Sequence, residues 1–228
     1  MRMKFVVVIA LLAVITVLSG GRSIAADTTY FRGTVVYTIT SRGDSSDPDM
    51  QLFTAFAPIS HTVIFGSGRR IRLRDQEGLG GANMIVDLEN DIHYQLRDED
   101  RIALKLTRVD YDAFFAPTVL EPMEDTETID GYLCRKCRIA SSPFIRPGAV
   151  GYVWVTDQVH LLRERGEYNH EHGFRGLFPL PMVLGVREGT VMKLEVTEQG
   201  VTATYTADLE AGEPAEDIFA IPAGYHTE

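Results

Sequence analysis

The chain has little cysteine, no surplus of positive charge and none of the common catalytic signatures, and each shortage removes a class of protein. Two cysteines among 228 residues are too few for a disulfide-dense secreted scaffold or for a four-thiolate zinc site. Lys and Arg number 22 against 32 Asp and Glu, a net charge of −10. That balance disfavours a general nucleic-acid binder, which neutralises phosphates with surplus cations. There is no Gly-x-Ser-x-Gly elbow, no Walker loop and no His-Glu-x-x-His, so no enzyme class is indicated and no cofactor is implied. Gly78-Leu79-Gly80-Gly81 lacks the strand and helix that flank a nucleotide-binding fingerprint, and reads as a turn. Beyond the N-terminus, no apolar run is long enough for a transmembrane helix.

The N-terminus itself has the form of an export leader. Arg2 and Lys4 precede an apolar stretch, Phe5 to Leu18, and small residues follow up to Ala26. Fourteen apolar residues are short for a bilayer span. Residues 1–26 are therefore expected to be a signal peptide cleaved near Ala25 or Ala26, with the periplasm or the cell exterior as destination. Without Arg2, Lys4 and Arg22, 19 basic residues face 32 acidic ones, a net charge of −13. No cysteine follows the leader to carry a lipid anchor. Residues 27–228 suit one domain.

What fills that domain is period-two alternation. Val35, Tyr37 and Ile39 alternate with Thr34, Thr38 and Thr40. The same pattern recurs at His61–Phe65, Arg70–Arg74, Met84–Leu88, Ile92–Leu96, Ile102–Leu106, Leu133–Ile139, Val150–Val155, Val191–Val196 and Val201–Ala207. Each segment predicts a strand with one apolar face, bounded by turn residues. The expected fold is mainly β, one large antiparallel sheet with short connections. Three stretches break the pattern. Asp44 to Asp49 reads as a polar loop. Asp110 to Pro122 suits a short helix burying Phe114, Phe115, Val119 and Leu120. Tyr168 to Gly189 is apolar without a period, and Pro179 and Pro181 bar a regular helix. This last segment is expected to be a lid or a packed plug over the sheet.

Cys134 and Cys137 fall in the strand Leu133–Ile139. Three strand steps put them roughly 10 Å apart on opposite faces, too far for a disulfide unless a bulge intervenes. The alternative is redox or metal chemistry by a C-x-x-C pair, with His170 and His172 as helpers. His170-Glu171-His172 reads first as a polar loop. Asp125 to Gly131 resembles the opening of a calcium loop, but Lys136 stands where the closing glutamate is needed. Arg69, Arg70, Arg72 and Arg74 form a basic edge, read as the solvent face of one strand and also suited to a phosphate headgroup or acidic partner.

Three segments taken in order carry a resemblance. Ile129-Asp130-Gly131-Tyr132-Leu133-Cys134, Val153-Trp154-Val155-Thr156 and Phe219-Ala220-Ile221-Pro222-Ala223-Gly224-Tyr225 resemble the Ile-x-Gly-Tyr-x-Cys, Val-Trp-Val-Thr and Phe-x-Ile-Pro-x-Gly-Tyr segments of a family of secreted bacterial proteins without an established biochemical role. That family is similar in layout to the LolA/LolB-like lipoprotein-carrier superfamily. Cys137 departs from the pattern. The resemblance implies a curved antiparallel sheet forming an incomplete barrel, with one or two short helices and a lid loop.

The function expected on this basis is non-enzymatic binding of a lipid, an acyl chain or a lipidated partner such as a lipoprotein, in an apolar concavity. Tyr152, Trp154, Met192 and Leu194 are the candidate wall residues, and Phe174, Leu177, Phe178 and Met182 the candidate lid. Alternation does not distinguish a filled interior from an empty one. A thiol or metal protein using Cys134 and Cys137, and a structural interaction module, are the rival readings.

Overall fold

The structure, a computed structural model, describes residues 30–43, 48, 59–76, 83–110, 116–162, 166–169, 175–184, 186–187 and 189–228. The leader lies outside them, as do Phe114, Phe115, the 44–47 loop residues and the 170–174 segment. No described helix is long and apolar enough to cross a membrane.

Six strands follow one another as a meander: β1 (Gly33–Arg42), β2 (Ser60–Phe65), β3 (Arg70–Gln76), β4 (Asn83–Asp87), β5 (Ile92–Arg97) and β6 (Ile102–Lys105). After a short strand β7 (Thr107–Asp110), a second run holds β8 (Val119–Ile129), β9 (Tyr132–Ser141), β10 (Val150–Thr156), β13 (Thr190–Glu198) and β14 (Val201–Ala211). Between β10 and β13 the chain departs into β11 (Gly166–Asn169), β12 (Arg175–Leu177) and a one-turn helix, α1 (Leu180–Val183). With β15 (His226–Thr227), the large sheet has the order β15-β6-β5-β4-β3-β2-β1-β14-β13-β10-β9-β8, and β12-β11-β7 form a small second sheet. The large sheet is curved and does not close into a barrel. Its neighbours are antiparallel except for β15, which runs parallel to β6.

Alternation sets the faces as expected. In β1, Val35 and Tyr37 are buried, and they lie opposite Leu209 and Ala207 of β14. Asp130-Gly131 and Gln199-Gly200 make two-residue hairpin turns with φ positive at both positions (49° and 79°, 50° and 84°). Such turns match the right-handed twist of the strands they join. Three register shifts add curvature, one of them between Val119 and Leu120 of β8. Met192 is the extra residue between the pairs Trp154–Lys193 and Val155–Val191. Opposite β9, the register of β8 slips between Pro122 and Thr126.

The segment 110–122 does not form the expected helix over its second half. Val119 and Leu120 belong to β8, and Val119 is exposed rather than buried. Pairing with β9 and the two prolines, Pro117 and Pro122, favour extended backbone there. Strand β8 is an edge, and Pro122, Glu121, Glu124 and Asp125 make it a poor template for further pairing.

The C-terminal motif Phe219–Tyr225 is a strap across the outer face of the first meander. A 3₁₀ turn (Glu216–Phe219) brings the Phe219 ring against Gly66, where a Cβ would lie 2.5 Å from the ring. The Arg70 guanidinium sits 5.1 Å from the Phe219 centroid and pairs with Glu216. Ile221 and Tyr225 then pack on Ile85, Leu96 and Ala103, and β15 docks on β6.

Candidate functional site

The inner face of the sheet is covered by the segment that breaks the alternation. Phe178, Met182, Val183 and Leu184 are 3%, 8%, 4% and 0% exposed. Their backbone has little regular structure to hold it. Helix α1 is one turn long, begins after Pro179 without a side-chain cap, and carries Pro181 in its first turn. Packing, not helix propensity, keeps such a turn in place. The Thr118 hydroxyl donates to the Leu184 carbonyl and shares a 3.0 Å hydrogen bond with the Ser142 hydroxyl. At the other end, Thr190 Oγ1 accepts from the Leu161 amide at 3.1 Å and donates to the Val159 carbonyl at 2.7 Å.

Beneath this flap, Tyr37, Leu161, Leu162, Met182, Val186 and Val191 line a cavity of about 30 Å³. That is room for about one water, against the several hundred Å³ of a typical ligand pocket. The flap fills the concavity. Burial pushes the Tyr37 hydroxyl pKa well up, so it stays neutral and supplies no anionic base. Tyr168 joins the flap to both sheets: its ring meets Phe178 at 5.8 Å and His93 at 5.0 Å, both edge-on. Burial holds the His93 imidazole below the ordinary histidine pKa, opposed by Asp91.

The residues singled out in the sequence divide between the two faces. Phe178, Met182, Met192 and Trp154 belong to the larger core cluster, which Tyr152 flanks. Leu194 is in a second cluster with Val153 and Cys137. Tyr152 and Trp154 do share a strand face, and it carries cations. The Lys193 ammonium stands 4.3 Å and that of Lys136 5.0 Å from the Trp154 centroid, and Lys136 is 4.7 Å from Tyr152. Glu127 holds Lys193 at 3.0 Å. Phe174, His170, Glu171 and His172 lie outside the described residues. Leu177 has its backbone in β12, and its side chain is outside them. The seam residues Tyr37, Leu161, Leu162 and Val186 were not singled out, although Leu161-Leu162 is an apolar pair in a stretch without period.

Cys134 and Cys137 are unbonded and buried, one in each cluster. Cys134 Sγ donates to the Tyr132 carbonyl at 3.4 Å, and burial pushes its thiol pKa up, the reverse of an activated thiol. Among the described residues, no group of three His, Cys, Asp or Glu side chains is placed to hold a metal.

The sequence matches no protein-family model and no curated protein. Solved proteins similar to it in structure include the following three. PNGF-II aligns over 86% of this chain with 13% identity and a TM-score of 0.43, and this chain spans 30% of that one. LprF from Mycobacterium bovis aligns over 86% of this chain and 90% of its own, at 10% identity and a TM-score of 0.37. The LolA superfamily protein NE2245 from Nitrosomonas europaea aligns over 82% and 89%, at 9% identity and a TM-score of 0.31. At these identities and TM-scores the likeness does not extend to function.

Proposed function

We propose that the protein is an exported, non-enzymatic envelope protein, residues 27–228 forming one binding domain that takes up an acyl chain, a lipid or a lipidated partner by exchanging it for its own flap. The observation that supports this is the make-up of the cover. Four buried apolar side chains, two on a one-turn helix and two beside it, cover a concave sheet face. An alkyl chain offers the sheet the same chemistry as Phe178, Met182, Val183 and Leu184.

Exchange has a threshold that follows from area. Re-exposing four such side chains costs roughly 6–12 kcal/mol at 1.5–3 kcal/mol each. Each buried methylene returns about 0.8 kcal/mol, so a chain of about 8 to 15 methylenes is needed before binding begins. Saturated fatty acids of increasing length, titrated in solution, test this. Short chains are expected not to bind and long ones to bind, with Phe178→Ala moving the threshold to shorter chains because less surface is re-exposed. Absence of uptake at every length would sink the reading. It would leave the interaction module, the alternative favoured by the near-absence of free volume beneath the flap.

A further inference from the structure

The outer face of the first meander holds an open cavity of about 830 Å³ whose chemistry the flap does not explain. Its lining includes Thr62, Arg72, Arg74, Asn83, Gln95 and Asp98. Arg72 alternates with Leu73, a core residue of the flap-bearing face, so the cavity lies on the other side of the sheet.

Arg72 is 3% exposed, unusual for a residue that stays charged. One guanidinium nitrogen, Nη2, donates to Asn83 Oδ1. The other two, Nε and Nη1, are shielded from water and donate to nothing. Gln95 Oε1, on the neighbouring lining, is a buried acceptor likewise without a partner. A buried charged donor left unpaired is costly, and a charge-assisted hydrogen bond to an anionic oxygen removes that cost.

The cavity also holds carboxylates, and most are engaged. Asp75 bonds to His61 Nδ1 at 2.6 Å. Asp98 accepts from Asn83 Nδ2 at 3.3 Å and from the Tyr225 hydroxyl of the strap. Arg97 is matched in turn by Asp100. Glu99 stands exposed on the turn beyond. That leaves Arg72 at the base and the exposed Arg74 beside it as cations without a carboxylate partner among the described residues. Burial, reinforced by Arg74 and opposed by Asp98 and Tyr225, brings the Arg72 pKa down to about 10.

We infer that this cavity binds a phosphate group, with the Arg72 guanidinium donating to one of its oxygens, Arg74 closing over another and Gln95 accepting from its protonated oxygen. A monoprotonated phosphate supplies both kinds of partner that the buried atoms lack. The site is separate from the flap, so its failure leaves the flap reading standing.

Calorimetric titration with inorganic phosphate tests the inference, together with flotation on vesicles of phosphatidylglycerol or phosphatidylcholine. Phosphate is expected to bind, and Arg74→Ala and Arg72→Met each to weaken it about tenfold or more, the loss of a charge-assisted hydrogen bond. Arg74 is exposed, so its variant folds and decides the matter even if Arg72→Met does not. Flotation on the anionic vesicles that Arg74→Ala abolishes assigns the phosphate to a lipid headgroup. Phosphate binding without flotation assigns it to a soluble ligand. The inference is overturned if neither probe binds, or if Arg74→Ala binds as tightly as the unmodified protein.

Discussion

Thr190→Val changes one atom group in a buried clamp, and the structure fixes what it should cost. The Thr190 hydroxyl satisfies two backbone groups at once, the Leu161 amide and the Val159 carbonyl, in a residue only 6% exposed. Valine keeps the shape and leaves both groups buried and unpaired. At about 1–3 kcal/mol for each of the two orphaned groups, offset by about 1 kcal/mol for the new methyl, the loss comes to about 1–5 kcal/mol. The adjoining cavity, lined in part by Thr190 itself, has room for about one water. A bridging water sets the lower bound at about 1 kcal/mol. Thr190→Ser keeps the hydroxyl and should lose only about 0.8 kcal/mol, one methyl. Denaturant unfolding followed through Trp154, the single tryptophan, gives both values. Hydrogen exchange at Leu161 should accelerate in the valine variant alone. If Thr190→Val lies within about 0.5 kcal/mol of the unmodified protein, or if serine costs as much as valine, the hydroxyl is not the clamp.

Two further outcomes follow from buried groups. Cys134 and Cys137 should resist a thiol reagent in the folded protein and both react after denaturation without reductant; fewer than two free thiols at that stage would contradict their unbonded placement. His93 is held neutral in the folded state, so the unfolded chain takes up a proton more readily. Stability from this residue is therefore present above about pH 6.5 and declines as pH falls towards the lowered folded-state value. Unfolding midpoints measured across that window should show the slope, and His93→Gln should reduce it; an unchanged slope assigns the acid sensitivity elsewhere.

Strands with one wet and one dry face were readable from alternation. Strand β8 was not. Apart from Leu120 and Ile129 its side chains are exposed on both faces, so it has no period, and β9 supplies the hydrogen bonds that keep it extended. Strands β7, β11 and β12 are three or four residues long, too short for a pattern to show. The flap announced itself by apolar content without period, yet what it covers depends on pairings distant in sequence. Tyr152 and Trp154 could be placed on one face, but not on a face sheathed by Lys136 and Lys193, since long lysine stems cover aromatic rings while their charges reach outward. Arg72 looked like part of a solvent-facing row because nothing in β3 foretells the strap laid over that face.

The order of the large sheet carries a kinetic meaning. Each meander is made of strands adjacent, or nearly so, along the chain, whereas the join between β1 and β14 sets Gly33 opposite Ala211. Two locally assembled halves thus meet in the middle of the sheet, not at its rim. Forming that seam closes the longest loop in the domain, the step where entropy is lost before contacts compensate. A chain severed between Asp110 and Val119 keeps both runs of strands whole, and their reunion rests on the ten residue pairs of that seam together with β15 on β6 and β11 on β7.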